Sequence, residues 1–116
     1  MEIKSSNTIL YCTKWHNTVA FYRDVLRLPI NLSKDWFVEF RLSDNSRLSV
    51  ANEKDASIKS CQGHGLTISL EVEDIEAMHT KMQTSGLKTT DVKEIWESKQ
   101  FYIHDPEGNR IEFWSR

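Results

Sequence analysis

Residues 66–75 read LTISLEVEDI. Leu66, Ile68, Leu70 and Val72 alternate with Thr67, Ser69, Glu71 and Glu73, the period-two pattern of a half-buried strand. Asp74 then stands where a helix N-cap belongs, and Ile75, Met78 and Met82 share one helical face before Gly86 closes it. Three more strands are predicted beyond, over about Thr89–Trp96, Lys99–His104 and Arg110–Trp114. Asp105-Pro106-Glu107-Gly108-Asn109 supplies the last hairpin turn, with Pro presetting φ and Gly or Asn able to take positive φ. The order is βαβββ.

Reading back toward the N-terminus finds the same order again. TILYCT at residues 8–13 predicts a strand, and a helix over Val19–Leu28 follows, capped by Asn17 or Thr18 and ended by Pro29. Strands are predicted over about Ile30–Ser33, Trp36–Leu42 and Arg47–Ala51. An offset of about sixty residues lays Thr8 on Ile68 and Leu10 on Leu70. The chain is therefore read as an α+β domain over residues 1–116. Repeat one covers about 7–52, a polar linker about 53–65 and repeat two about 66–116, and each half needs a partner to close its core.

Composition narrows the function classes. Lys plus Arg is 15 and Asp plus Glu is 17, a net charge of −2 with no basic cluster, which argues against nucleic acid. No apolar run approaches the roughly 20 residues that span a bilayer. The N-terminus lacks a signal-peptide core, and Cys12 and Cys61 lie far apart without a CxxC motif, so the expected compartment is the cytoplasm. No GxGxxG, P-loop or GxSxG sequence is present, and four Trp is a high count for 116 residues.

Strand parity separates two faces. Leu10 and Cys12, Leu48 and Val50, Ile68 and Leu70, and Ile111 and Phe113 form an aliphatic side for the helices to cover. The other side carries Asn7, Tyr11, Arg47, Ser49, Thr67, Glu71, Arg110, Glu112 and Trp114. Polar residues there would be explained by solvation, but Tyr11 and Trp114 are too large to be left fully exposed without a ligand or a second subunit.

Three segments in order carry a family resemblance. They are Val19–Pro29 (VAFYRDVLRLP), Glu71–Ile75 (EVEDI) and His104–Phe113 (HDPEGNRIEF). Together with the duplicated βαβββ order they resemble the vicinal oxygen chelate superfamily of glyoxalases, extradiol dioxygenases and bleomycin-resistance proteins. The resemblance implies curved mixed sheets with a concave cup, helices on the convex side, and a homodimer. In the superfamily's enzymes a divalent metal is held by His and Glu on the first, fourth, fifth and eighth strands and acts as a Lewis acid. The matching positions here hold Asn7, Ser49, Thr67 and Glu112, and only the last is a usual ligand.

The expectation is thus a metal-free binder of a small apolar or planar ligand, without cofactor, similar to the bleomycin-resistance branch. The residues named for the groove are Glu112, Trp114, Tyr11, Trp36, Trp96, Asn7, Ser49, Thr67 and Glu71. Glu112 is the polar anchor, although it could instead pair with Arg47. Stacking and cation–π contacts would hold a planar ligand without metal. No catalytic residue is assigned. The alternative is a metal-dependent lyase or dioxygenase using Glu112 and His64. A third reading is a non-catalytic interaction module whose cup is filled by its own side chains. His16, His79 and His104 are read as a helix-start, core-margin and turn residue respectively.

Overall fold

In the computed structural model, which describes residues 1–116, the chain divides into two compact units, Met1–Gln62 and Gly63–Arg116. The first contains β1 (Ser6–Cys12), α1 (Trp15–Ala20), β2 (Ile30–Ser33), β3 (Phe37–Ser43) and β4 (Ser46–Asn52). Its sheet runs β1-β4-β3-β2, with β1 parallel to β4 and the other pairs antiparallel. The second contains β5 (Thr67–Glu71), α2 (Ile75–Thr84), β6 (Lys93–Ile95), β7 (Ser98–His104) and β8 (Arg110–Ser115). Its sheet runs β5-β8-β7-β6 with the same directions. The architecture is α+β, a βαβββ unit made twice.

In each unit one sheet face lies under the helix and is apolar. In the first, Leu10, Cys12, Val38, Phe40, Leu48 and Val50 are buried there, and Tyr22 reaches Phe40 with ring centroids 6.0 Å apart. In the second, Ile68, Phe101, Ile103, Ile111 and Phe113 are buried, and His79 of α2 meets Phe101 edge-on at 4.9 Å. Burying a side chain of this size contributes about 1.5–3 kcal/mol, so these rows dominate each unit's stability.

The first helix departs from its expected form. It begins at Trp15, not Val19, and neither Asn17 nor Thr18 caps it. Trp15 is buried and its Nε1 donates to the Val50 carbonyl at 2.9 Å, so a tertiary anchor sets the helix start. Thr18 is inside the helix, its hydroxyl bonded back to the Lys14 carbonyl at 2.7 Å. The predicted second half is a π-helical segment, Phe21–Val25, in which the Leu26 N–H donates to the Phe21 carbonyl. There Phe21 and Tyr22 are both buried, in edge-to-face contact at 5.2 Å. Arg27 at φ 55° then turns the chain toward Pro29.

Two further expectations change. The strand predicted over Thr89–Trp96 survives only as β6, because the Thr90 hydroxyl accepts the Tyr102 N–H at 2.8 Å in place of a backbone carbonyl. His79 Nε2 holds the same segment through Thr89 and Thr90. Trp96 consequently lies in the turn between β6 and β7, at φ 61°. Trp36 likewise precedes β3 rather than starting it. The linker includes a 3-10 turn, Glu53–Asp55, whose cap is the Asn52 side chain accepting from the Lys54 N–H.

The rest of the second repeat follows the sequence reading closely. Asp74 caps α2 by accepting the Ala77 N–H at 3.1 Å, and Gly86 leaves the helix at φ 82°. The last hairpin turns around buried Asp105, whose Oδ1 accepts both the Glu107 and Asn109 N–H at 2.9 Å.

Candidate functional site

The faces opposite the helices carry the candidate residues, and register pairs them strand to strand. On the first sheet one row contains Asn7 and Arg47, the next Ile9, Ser49 and Glu39, and the third Tyr11, Ala51 and Phe37. Ser49 is fully buried and donates to Asn7 Oδ1 at 2.8 Å. The Arg47 guanidinium lies 3.4 Å from Glu39, so its carboxylate partner belongs to its own sheet. Tyr11 is half-buried, and Ala51 between it and Phe37 keeps that row low. Half-buried Trp36 packs against Phe37 at 5.4 Å, so the two rings cluster at the start of β3.

On the second sheet the rows are Thr67, Arg110 and His104; then Ser69, Glu112 and Tyr102; then Glu71, Trp114 and Gln100. Half-buried Glu112 accepts the Ser69 hydroxyl at 2.5 Å, which ties the carboxylate to the neighbouring strand. Arg110 Nε donates to Thr67 Oγ1 at 2.9 Å, and its guanidinium stacks 4.5 Å over the Tyr102 ring. Trp114 is covered in turn by Arg116 at 4.9 Å, and the Arg116 guanidinium is 3.9 Å from exposed Glu71. Glu71, Val72, Glu73 and Arg116 border an open depression of about 470 Å³.

Two sequence candidates stand away from these rows. Trp96 is 93% exposed at the β6–β7 turn and packs on nothing in its own unit. His64 is exposed in the loop before β5. Phe37 and Tyr102 on these faces escaped the sequence reading, which placed Arg110 on the polar side of the last strand but gave it no role. Strand alternation was the available signal, since Phe37 opposes Val38 and Tyr102 opposes Ile103 in parity.

The metal-ligand positions provide one carboxylate, one amide and two hydroxyls. Asn7 and Ser49 are bonded to each other, and Glu112 already accepts from Ser69. No group of three His, Cys, Asp or Glu side chains comes together in the chain. Zinc, nickel and iron are held by imidazole, thiolate and several carboxylates, so this donor set does not fit them.

The fold has many solved counterparts. Lactoylglutathione lyase from Agrobacterium tumefaciens is 21% identical with a TM-score of 0.77, covering 94% of this chain and 90% of its own. The bleomycin-binding protein of Streptomyces verticillus, solved with copper(II)-bleomycin, is 22% identical with a TM-score of 0.73, covering 97% and 96%. An antibiotic-binding protein from a Streptomyces species is 14% identical with a TM-score of 0.80, covering 99% and 95%. No protein of curated function matches the sequence. The family model of a glyoxalase-like domain matches residues 5–115. With that match spanning both βαβββ units, the chain belongs to the glyoxalase-like family of the vicinal oxygen chelate superfamily.

Proposed function

We propose that this protein binds a small apolar or planar molecule without a metal, in an aromatic-lined groove shared by two copies of the chain in the cytoplasm. The observation that carries the reading is the row-by-row content of the second sheet's open face. A half-buried carboxylate, Glu112, stands one row from Trp114 and beside Tyr102. Aromatic surface gives affinity to a flat ligand, and the carboxylate orients a donor on it. Tyr11 and Trp36 add aromatic surface on the first sheet, and exposed Trp96 has a ring free to close over a bound molecule. Asn7, Ser49, Thr67 and Glu71 are assigned as polar lining. Two structural counterparts bind bleomycin or an antibiotic, which supports a binding role for this fold.

The test is a titration of the intact protein with neutral and cationic planar aromatic compounds, following tryptophan fluorescence, after its metal content is measured. Saturable quenching by at least one compound is expected, weakened about ten-fold or more by Trp114→Ala, a loss within the range for one base-sized stacking partner. Glu112→Gln should weaken compounds that carry a donor and spare those that do not. Stoichiometric zinc, nickel or iron lost on Glu112→Ala would instead establish the metal-dependent lyase or dioxygenase reading. No response from any compound would favour the interaction module.

A further inference from the structure

A second depression, of about 420 Å³, opens at the end of the second sheet where β5 and β8 begin. Its lining includes Gly63, Gly65, Gly108, Thr67, His104 and Arg110, and no carboxylate. Asp105, which follows His104, is buried with both oxygens turned into the hairpin: Oδ1 takes two backbone N–H groups, and Oδ2 takes Asn109 Nδ2 at 2.9 Å; Glu107, which precedes Gly108, is buried as well. Glu112 sits one row further along β8, and its Oε1 accepts from Ser69.

Arg110 is held in place here but is not neutralised. Its Nε donates to Thr67 Oγ1, and the Tyr102 ring supports the guanidinium from below. No carboxylate lies within ion-pair distance, and its terminal nitrogens carry no protein acceptor. His104 is its register partner on β7, so both side chains leave the sheet on the same face. Gly63, Gly65 and Gly108 complete the lining together with Leu66. A Cβ on Gly63 would come within 2.0 Å of the Gly108 carbonyl oxygen, so backbone packs directly on backbone there. At Gly65 a Cβ would meet nothing within 4 Å, which leaves the mouth open.

We propose that this depression is an oxyanion-binding site, in which the fork of Arg110 grips a carboxylate or phosphate group and His104 contributes a further donor. A planar guanidinium with two unused nitrogens matches the two oxygens of either group. The cavity has room for the anionic group of a small molecule and part of the body that bears it. This site shares Thr67 with the polar lining assigned above but is centred on Arg110 rather than Trp114, and anion binding lost with Arg110→Gln but kept in Trp114→Ala separates it from the ligand proposed there.

The test is a titration of the intact protein with inorganic phosphate and, separately, acetate at constant ionic strength, read from amide and arginine Nε chemical shifts. Saturable shifts at Gly65, Thr67, Gly108 and the Arg110 Nε are expected. Arg110→Gln should weaken binding about ten-fold or more, as expected for losing charged hydrogen bonds. Arg116→Gln removes the same charge elsewhere in the unit and should leave binding within about two-fold, since exposed charge at a distance is screened. Response to phosphate alone assigns phosphate-bearing ligands, and response to acetate alone assigns carboxylates. No saturable shift, or equal losses in the two variants, would overturn the proposal. If Arg110→Gln loses its dispersed spectrum, Arg110→Lys keeps the charge, lacks the fork, and must still weaken binding.

Discussion

Single positions with positive φ show how backbone geometry and packing separate. Gly63 and Gly65 have nearly the same φ, 79° and 74°, but very different surroundings. Gly65→Ala should cost only the left-handed penalty, about 1–2 kcal/mol. Gly63→Ala adds a collision with the Gly108 carbonyl and should cost clearly more, read as a larger drop in the urea midpoint. Equal losses would mean that the Gly63–Gly108 contact carries no weight. Trp96 is the contrary case, a bulky residue at φ 61° with almost all of its surface exposed. Trp96→Gly should raise stability by about 1 kcal/mol because it relieves strain and gives up no packing. If Trp96 closes over the ligand, the same variant binds more weakly, and a variant unchanged in both respects would remove Trp96 from the site. None of these differences can be read from residue type, since φ and the neighbour across space decide them.

Helix α2 shows an element whose ends and face were legible in advance. Its cap, its buried Ile75 and Met82 and its closing glycine all follow from local chemistry. What locality could not supply is its tie to the sheet. Lys99 on β7 donates to Glu76 at 3.0 Å, and this hydrogen bond, with a backbone one, holds the Glu76 carboxyl below the usual carboxylate range. A lowered folded value means the contribution is present above the ordinary carboxylate range and is lost as pH falls through the lowered value. Wild type should therefore be slightly more stable than Glu76→Gln at neutral pH, with the gap closing on acidification below that range. Because both groups are exposed, added salt should shrink the gap as well. Thermal melts across pH at two ionic strengths check both, and a gap that persists in acid would assign the effect to something other than the charge. Helix α1 went the other way, since the demand of Trp15 for burial and a carbonyl partner moved its start four residues earlier than its polar residues suggested.

For the molecule as a whole, duplication is the dominant feature, and each unit covers one sheet face with its helix and leaves the other face to something else. Ile9 and Leu32 remain partly exposed on the first unit, and on the second Ile95 is partly and Trp96 almost wholly exposed. The proposed homodimer gives such residues a partner. Sedimentation over a range of concentrations should show a dimer that dissociates on dilution or persists throughout. A monomer at every concentration would remove the shared groove, though not ligand binding by a single chain. No helix is long and apolar enough to cross a membrane.

The order βαβββ-βαβββ, the two faces of each sheet and the last hairpin were determined by the sequence alone. Their signals are local: alternation, an N-cap aspartate, and turn residues able to take positive φ. The positions of Asn7, Ser49, Thr67 and Glu112 on the faces opposite the helices followed from the same parity. Only tertiary structure decided which of those side chains are already partnered. Ser49 is spent on Asn7, Glu112 holds Ser69, and Arg110 is braced by Thr67 and Tyr102 with its fork left open. The physical reason is that hydrogen bonds and stacking between strands depend on register, which joins residues some forty positions apart and leaves no trace in any local window.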